Sequence, residues 1–265
     1  MKYLSPLQFC LAAACALLPA AAPAADWKFS SSVQYDTGRY GTGSWTDSWY
    51  LPFTLKRYYE YADISITLPW LRQSSTGLVT RVGGKPLRTA GEPPAGAAAG
   101  TGPPEAGLGD ILVHGSYVIK KEGPRSYDLA LAGTLKLPTA NKNKGLGTGQ
   151  LDEGLGVEFS KKMTPDLALR ADGYYSIIGD PPGADLNNQL SLDIGISRQA
   201  GENLVFTALY ETSSALLDGN ADPRDLNFSL DYKSPDGYHY SGGLLLGLSD
   251  GSPNLGLSAG LSRRF

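Results

Sequence analysis

The feature that most constrains the fold is a strict alternation of apolar and polar residues over segments of about ten residues. The clearest segment spans residues 189–198. One set of alternate positions holds Leu190, Leu192, Ile194 and Ile196, and the other holds Ser191, Asp193, Gly195 and Ser197. Because successive side chains of a strand point to opposite faces, the pattern predicts strands with one apolar and one polar face. Such strands fit a secreted β-sandwich, which buries the apolar face, or a membrane barrel, which turns it to lipid.

Twelve segments of this kind follow one another along the chain. They cover residues 27–36, 47–57, 63–71, 109–119, 127–137, 152–161, 167–177, 189–198, 204–213, 225–233, 238–248 and 254–265. The count is even and short connections alternate with longer ones, as in bacterial outer-membrane barrels, whose periplasmic turns are short. We therefore predict an all-β fold, a transmembrane antiparallel up-and-down β-barrel of about 12 strands with periplasmic N and C termini. Two prolines, Pro52 and Pro69, each remove a ladder hydrogen bond and predict a bulge at each position.

The first 24 residues have the pattern of a secretory signal peptide. Lys2 precedes an apolar stretch over residues 7–18, and Ala22-Pro23-Ala24 provides small residues for cleavage. Both cysteines, Cys10 and Cys15, lie in this segment, so residues 25–265 offer neither disulfides nor thiolate ligands. An alternative reading, a lipoprotein signal over residues 11–15, places Leu11 one position too early. We predict a signal peptide over 1–24, a barrel over 25–265 and a location in the bacterial outer membrane.

The longest predicted connection covers residues 72–108 and is rich in glycine, alanine and proline. Such a composition provides few large apolar side chains for a core of its own. We expect a long mobile outer loop, and the alternative is a loop folded over the mouth of the barrel.

Charge and motif spacing exclude several classes of function. The net charge is −3 for the whole chain, and loss of Lys2 with the signal makes it −4, which argues against nucleic acid as a partner. Residues 218–222 begin like a calcium loop, but Pro223 stands where that loop requires glycine. Residues 145–149 resemble a phosphate loop, but no helix is predicted after them. We predict no cofactor and no metal.

Polar side chains on the inward face of the predicted barrel are the candidate solute contacts. These lumen-lining residues are Asp110, His114, Asp128, Lys136, Glu158, Arg170, Asp172, Asp193, Glu211, Asp231 and His239. Turn lengths predict the cross-strand pairs Asp110 with Lys136, Glu158 with Arg170, Asp231 with His239 and Lys56 with Asp63. The pairs either neutralise charge in a narrow interior or form a solute-selective constriction.

An outer-membrane lipid hydrolase would need a serine and a histidine together at the lipid-exposed rim. His114 is predicted to face the lumen beside Ser116, and His239 also faces the lumen. We therefore predict that the chain is not an enzyme, with lipid modification as the remaining catalytic alternative.

Several turn motifs give a family resemblance. They are Gly-Leu-Gly-Asp at 107–110, Leu-Pro-Thr at 137–139, Lys-Gly-Leu-Gly-Thr-Gly at 144–149, Gly-Asp-Pro-Pro-Gly at 179–183 and Leu-Ser-Asp-Gly-Ser-Pro at 248–253. Ser-Lys-Lys at 160–162, a strand end, and Arg-Phe at 264–265, the terminus, add to them. In this order they resemble the outer-membrane family named for a MetA pathway of phenol degradation, also labelled transporter. The resemblance implies a barrel, and the 72–108 insertion is atypical of the family.

Strand number limits the function. Eight-stranded barrels are filled by side chains and barrels of sixteen or more strands hold wide channels, so about 12 strands predict a narrow passage at most. We predict a transporter or narrow channel for small solutes, with aromatic or apolar compounds among the candidates. The alternatives are a non-conducting structural or adhesive surface barrel and an outer-membrane lipid-modifying enzyme. The expected partners are outer-membrane lipid, a small-molecule solute and the barrel-assembly machinery, which would bind the C-terminal strand ending in Phe265.

Overall fold

The computed structural model describes residues 26–74, 78–91, 103–123 and 126–265. The predicted signal peptide with Cys10 and Cys15 lies outside the described residues, and so does the segment 92–102 of the long connection. Among the described residues, no helix is long and apolar enough to span a membrane.

The described chain forms fifteen strands and one short 3₁₀ turn. The strands are β1 (Asp26–Gly38), β2 (Thr46–Tyr58), β3 (Ala62–Gln73), β4 (Val79–Val82), β5 (Lys85–Arg88), β6 (Glu105–Leu108), β7 (Ile111–Lys120), β8 (Asp128–Leu137), β9 (Asp152–Lys162), β10 (Leu167–Ile177), β11 (Gln189–Ala200), β12 (Leu204–Ser213), β13 (Arg224–Lys233), β14 (Tyr238–Gly247) and β15 (Leu255–Arg264). The 3₁₀ turn is Lys142–Lys144.

Twelve long strands close into an antiparallel barrel. Each pairs with its neighbours in the chain, β15 pairs with β1 to complete the ring, and the short β6 continues the line of β7 along β3. This confirms the predicted fold and excludes the sandwich alternative. Both ends of the described chain lie at one end of the barrel, called here the terminal end, and the long connections lie at the opposite loop end. The periplasmic position of the terminal end stays a prediction.

The alternation places apolar side chains outside and polar ones inside. On β11, Leu192, Ile194 and Ile196 are 41%, 41% and 47% exposed, whereas Asp193 and Ser197 between them are half-buried in the lumen. The other long strands repeat the pattern and leave a belt of exposed apolar side chains, including Phe29 and Phe53. An apolar belt of this kind is stable in lipid and unstable in water.

The two prolines do not behave alike. At Pro52 the predicted bulge is wrong, because β2 keeps one register with β1 on both sides of Pro52 and pairs it directly with Pro69 of β3. At Pro69 the ladder does shift by one residue, since Thr67 pairs with Leu112 but Trp70 pairs with Leu108. The extra residue lies on the partner strand between β6 and β7, where Gly109 N–H donates to the Pro69 carbonyl at 2.9 Å.

Three predicted cross-strand pairs are wrong by two residues. Asp172, not Arg170, stands opposite Glu158; Ser241, not His239, stands opposite Asp231; and Leu112, not Asp110, stands opposite Lys136. Two of the four predicted pairs are nevertheless in contact across that offset. Lys56 Nζ lies 2.8 Å from Asp63 Oδ1, although Ser65 stands opposite Lys56, and Lys136 Nζ lies 3.8 Å from Asp110 Oδ2. A slip of two residues keeps every side chain on its predicted face, so the apolar pattern alone does not detect it.

Part of the long connection forms a hairpin inside the barrel. β4 and β5 pair with each other, and the turn between them uses Gly83 and Gly84 at φ +58° and +87°. Two successive positive φ angles are typical of the tight hairpin turns that glycine favours. The turn reaches the inner wall, because a Cβ on Gly84 would lie 3.4 Å from Leu112 Cδ1 and 3.5 Å from the Tyr50 hydroxyl. Residues 78–91 are thus folded and lie within the mouth. The predicted loop is too long at both ends, because 72–73 belong to β3 and 105–108 form β6, while its mobility over 75–77 and 92–102 stays a prediction outside the described residues.

Two apolar clusters fill the loop half of the barrel. In one, Val82 and Leu87 of the hairpin pack against Ile178, Leu186 and Leu216 of the outer connections. In the other, the connection between β8 and β9 folds inward, and its Ala140 and Leu146 pack against Tyr50 and Leu71 of the wall. The barrel therefore has a filled loop half and a more open terminal half.

Candidate functional site: the barrel lumen

A large lumen cavity lies in the terminal half and has a volume of about 1120 Å³. Its lining comes from strands β2, β3 and β7–β11 and from the turn after β7. Predicted lumen residues that line it are His114, Asp128, Glu158, Arg170, Asp172 and Asp193. Most of its wall is polar because the inward positions of these strands are polar in the sequence.

Glu158 is the centre of one hydrogen-bonded group in this cavity. Its Oε1 lies 3.2 Å from His114 Nε2, and it also accepts a hydrogen bond from the Tyr174 hydroxyl. His114 Nε2 also lies 3.3 Å from the Tyr174 hydroxyl oxygen. A carboxylate that accepts from a phenol and an imidazole forms strong, charge-assisted hydrogen bonds.

Two ion pairs face the same cavity. Lys56 pairs with Asp63, which also accepts a hydrogen bond from Ser116 Oγ at 3.0 Å. Arg170 pairs with Asp172, two residues along the same strand. The cavity thus offers both donors and acceptors, and its charges are paired along or across the strands.

Asp110 and Lys136 are buried away from solute. Lys136 is 3% exposed, and its Nζ lies 2.5 Å from Asp152, 2.7 Å from Thr148 Oγ1 and 3.8 Å from Asp110. Asp110 in turn accepts a hydrogen bond from the Ala140 N–H at 2.9 Å. This group ties the inward-folded β8–β9 connection to the barrel wall.

The other predicted residues, and the further contacts of Asp193 and Asp128, lie in three places. Asp193 and Glu211 both contact Lys85 of the hairpin. Asp231 and His239 line a separate cavity of about 270 Å³ at the terminal end. Asp128, at the edge of the large cavity, also accepts a hydrogen bond from the Glu122 N–H across its turn, at 2.7 Å.

Sequence reasoning missed several lumen residues. Tyr174 faces inward between the outward positions of β10, and the alternation itself could have identified it. Arg81 and Lys85 lie on the hairpin. The sequence feature that could have predicted this hairpin is Gly83-Gly84, a dipeptide typical of a hairpin turn, between two short segments.

The predicted histidines do not form a serine–histidine pair in the described part of the chain. His114 bonds to Glu158 and Tyr174, while Ser116 donates to Asp63. Within residues 26–74, 78–91, 103–123 and 126–265, no group of three or more His, Cys, Asp or Glu residues could hold a metal ion.

The comparisons with known proteins agree with the fold. A family model described as "Putative MetA-pathway of phenol degradation" matches residues 64–265. No curated protein sequence matches the chain.

Solved structures with the same architecture are outer-membrane channels and porins. The COG4313 outer membrane channel from Pseudomonas putida F1 is 13% identical with a TM-score of 0.68, and the alignment covers 94% of this chain and 100% of that one. The NanC porin is 13% identical with a TM-score of 0.56, covering 89% and 98%. The CymD monoaromatic hydrocarbon channel is 10% identical with a TM-score of 0.50, covering 91% and 87%. At these identities the likeness concerns the fold, and the fold with its apolar belt places the chain in the bacterial outer membrane.

Proposed function

The chain belongs to the family whose model it matches, and from this membership and the lumen geometry we propose that it is a narrow outer-membrane channel for small solutes. The observation that carries the proposal is the polar cavity of about 1120 Å³ in the terminal half of the barrel. Its volume lies slightly above the range of about 300–1,000 Å³ that is typical of small-molecule sites, so a small solute has room in it. A barrel that served only as a scaffold would have no need of such a space.

The preferred solutes in this proposal are small hydroxylated aromatic compounds. The hydrogen bond from Tyr174 to Glu158 is already one between a phenol and a carboxylate, and His114 places a second ring beside it. A phenolic solute could make the same hydrogen bond and stack against the same rings. The family description and the name of the CymD channel support an aromatic solute.

Ion current in planar bilayers tests the proposal, with phenol as a blocking solute. Phenol crosses lipid unaided, so block of the potassium current is more informative than phenol flux. We expect the purified barrel to conduct and phenol to reduce the current. The Glu158→Gln variant should weaken the block about tenfold, since a charged acceptor contributes about 1.5–3 kcal/mol. His239→Ala, outside this cavity, is the matched control and should keep the block. A barrel with no current under any condition would contradict the proposal.

A non-conducting structural or adhesive barrel is the second candidate, because the hairpin and the outer connections fill the loop half of the lumen. Replacing residues 78–91 by a flexible linker distinguishes the channel from the non-conducting barrel. An increase in current supports a channel that the hairpin narrows, whereas a folded but silent barrel that has lost surface binding supports adhesion.

A further inference from the structure

The hairpin inserts two cationic side chains into a carboxylate-rich part of the wall. Arg81 forms an ion pair with Asp36 of β1. Lys85 Nζ lies 2.8 Å from Glu211 Oε2 of β12 and 3.9 Å from Asp193 Oδ1 of β11. The hairpin forms no ladder with the barrel strands, since β4 and β5 make a sheet of their own. Side-chain contacts therefore hold it in place.

The Arg81 pocket has the features of a guanidinium site. Arg81 is 5% exposed, and its guanidinium carbon lies 4.1 Å from the centre of the Tyr50 ring. Nε donates to Ser48 Oγ at 3.3 Å, and Asp36 supplies the opposite charge. An aromatic face with a carboxylate beside it is a typical environment for a bound organic cation.

The wall carries more negative charge than the hairpin neutralises. A fourth carboxylate, Asp225 of β13, lines the same cavity of about 400 Å³ as Asp36, Arg81, Lys85 and Glu211. Asp225 is only 6% exposed, and its Oδ1 has no hydrogen-bond partner among the described residues. The wall of the cavity therefore contains a buried acceptor whose hydrogen-bonding capacity the two hairpin cations do not use.

We propose that this part of the wall is a cation site of the channel, and that Arg81 and Lys85 are its built-in occupants. When the hairpin withdraws, the site binds ammonium or guanidinium groups of solutes, and the open lumen prefers cations to anions. This inference rests on the proposed channel function and adds the charge class of the solutes. The phenolic compounds proposed above are neutral and remain compatible with it.

Reversal potentials in a potassium chloride gradient test the proposal on two variants. In the first, a flexible linker replaces residues 78–91; in the second, Lys85→Gln removes one occupant and keeps the hairpin with its apolar contacts. We expect the cation-to-anion permeability ratio to rise roughly threefold to tenfold in the first variant and less in the second, because carboxylates lose their counter-ions. In the linker variant, ethylammonium should carry current when it replaces potassium. When it is added to potassium chloride, it should reduce the potassium current.

Replacing wall carboxylates by amides tests the site itself, with a carboxylate of another cavity as the matched control. Glu211→Gln with Asp193→Asn, made in the linker variant, should remove most of the gained cation preference. Asp231→Asn in the same background removes a lumen carboxylate that lies in another cavity and should preserve that preference. Folding of each variant is checked by its heat-dependent shift on a gel, and Lys85→Gln decides the question if the linker variant does not fold.

The outcomes separate the two proposals. Conducting variants with no gain in cation preference overturn the cation site and leave the channel function intact. Folded variants and a wild-type barrel that all fail to conduct overturn the channel function, and the cation site with it.

Discussion

At the scale of single residues, most of the charges buried in the described lumen lie close to an opposite charge, and Asp225, with its unpartnered Oδ1, is the exception. Lys136 has three oxygen partners within 4 Å, Arg81 has Asp36, and Lys85 has Glu211. Removing one partner of a buried pair leaves the other charge unpaired, which costs far more than the pair contributes. Lumen charges should therefore differ in their effect on stability according to burial.

Lys136→Met is the sharpest test of this point. The substitution keeps the length of the side chain but leaves Asp110 and Asp152 buried without a cation, so we expect a loss of about 3–5 kcal/mol in the free energy of unfolding. Urea unfolding monitored by tryptophan fluorescence measures it. Lys233→Met, at an exposed lysine, is the control. Equal stability of the two variants would contradict a structural role for the buried group.

The sequence predicted the face of these residues and one partner of Lys136, Asp110, but not the closer partners Asp152 and Thr148. Alternation is enough to place Lys136 and Glu158 inside, since a side chain's face depends only on its position in the strand. The partner of Lys136 depends on how the β8–β9 connection folds back into the barrel, which no period in the sequence records. The predicted cross-strand registers were wrong by two residues because they were inferred from turn length and the apolar pattern. A slip of two residues keeps each apolar side chain on the same face, so the pattern does not reveal it.

At the scale of elements, the hairpin of β4 and β5 is the part of the long connection that folds into the mouth of the barrel. Its arms are four residues each, too short to show a period, and the four residues of β4 are all buried by the wall and the outer connections. The long connection therefore resembled an unstructured loop in the sequence, and only Gly83-Gly84 indicated a turn. The stability of the hairpin should depend on that turn.

Gly84→Val tests the turn. A β-branched residue at φ +87° is strained, and left-handed backbone costs about 1–2 kcal/mol outside glycine. We expect trypsin to cleave after Arg81 and Arg88 about tenfold faster, because the hairpin opens more often. Mass spectrometry of the folded barrel identifies the cleavage sites. Gly91→Val, where a side chain meets open space and φ is not in the left-handed region, is the control and should digest at the wild-type rate. Unchanged digestion of the Gly84 variant would mean that the turn does not limit opening.

At the scale of the whole molecule, the apolar belt outside and the polar lumen inside define the protein. Both follow from the alternation, which is why the barrel and its strand number were predictable from the sequence; the family was predicted from the turn motifs. The function was less predictable, because it depends on what fills the lumen. The terminal half holds the polar cavity, while the hairpin and the outer connections narrow the loop half.

The measurement that tests the account most directly is the effect of a charged, water-soluble thiol reagent on the ion current of two cysteine variants. The described residues contain no native cysteine, so each variant carries one reactive thiol. Ser160→Cys places it in the large lumen cavity, and Ile194→Cys places it on the lipid face. The account predicts that the reagent reduces the current through the Ser160 variant and leaves the Ile194 variant unchanged. No current through either variant, or a block confined to the Ile194 variant, would contradict it.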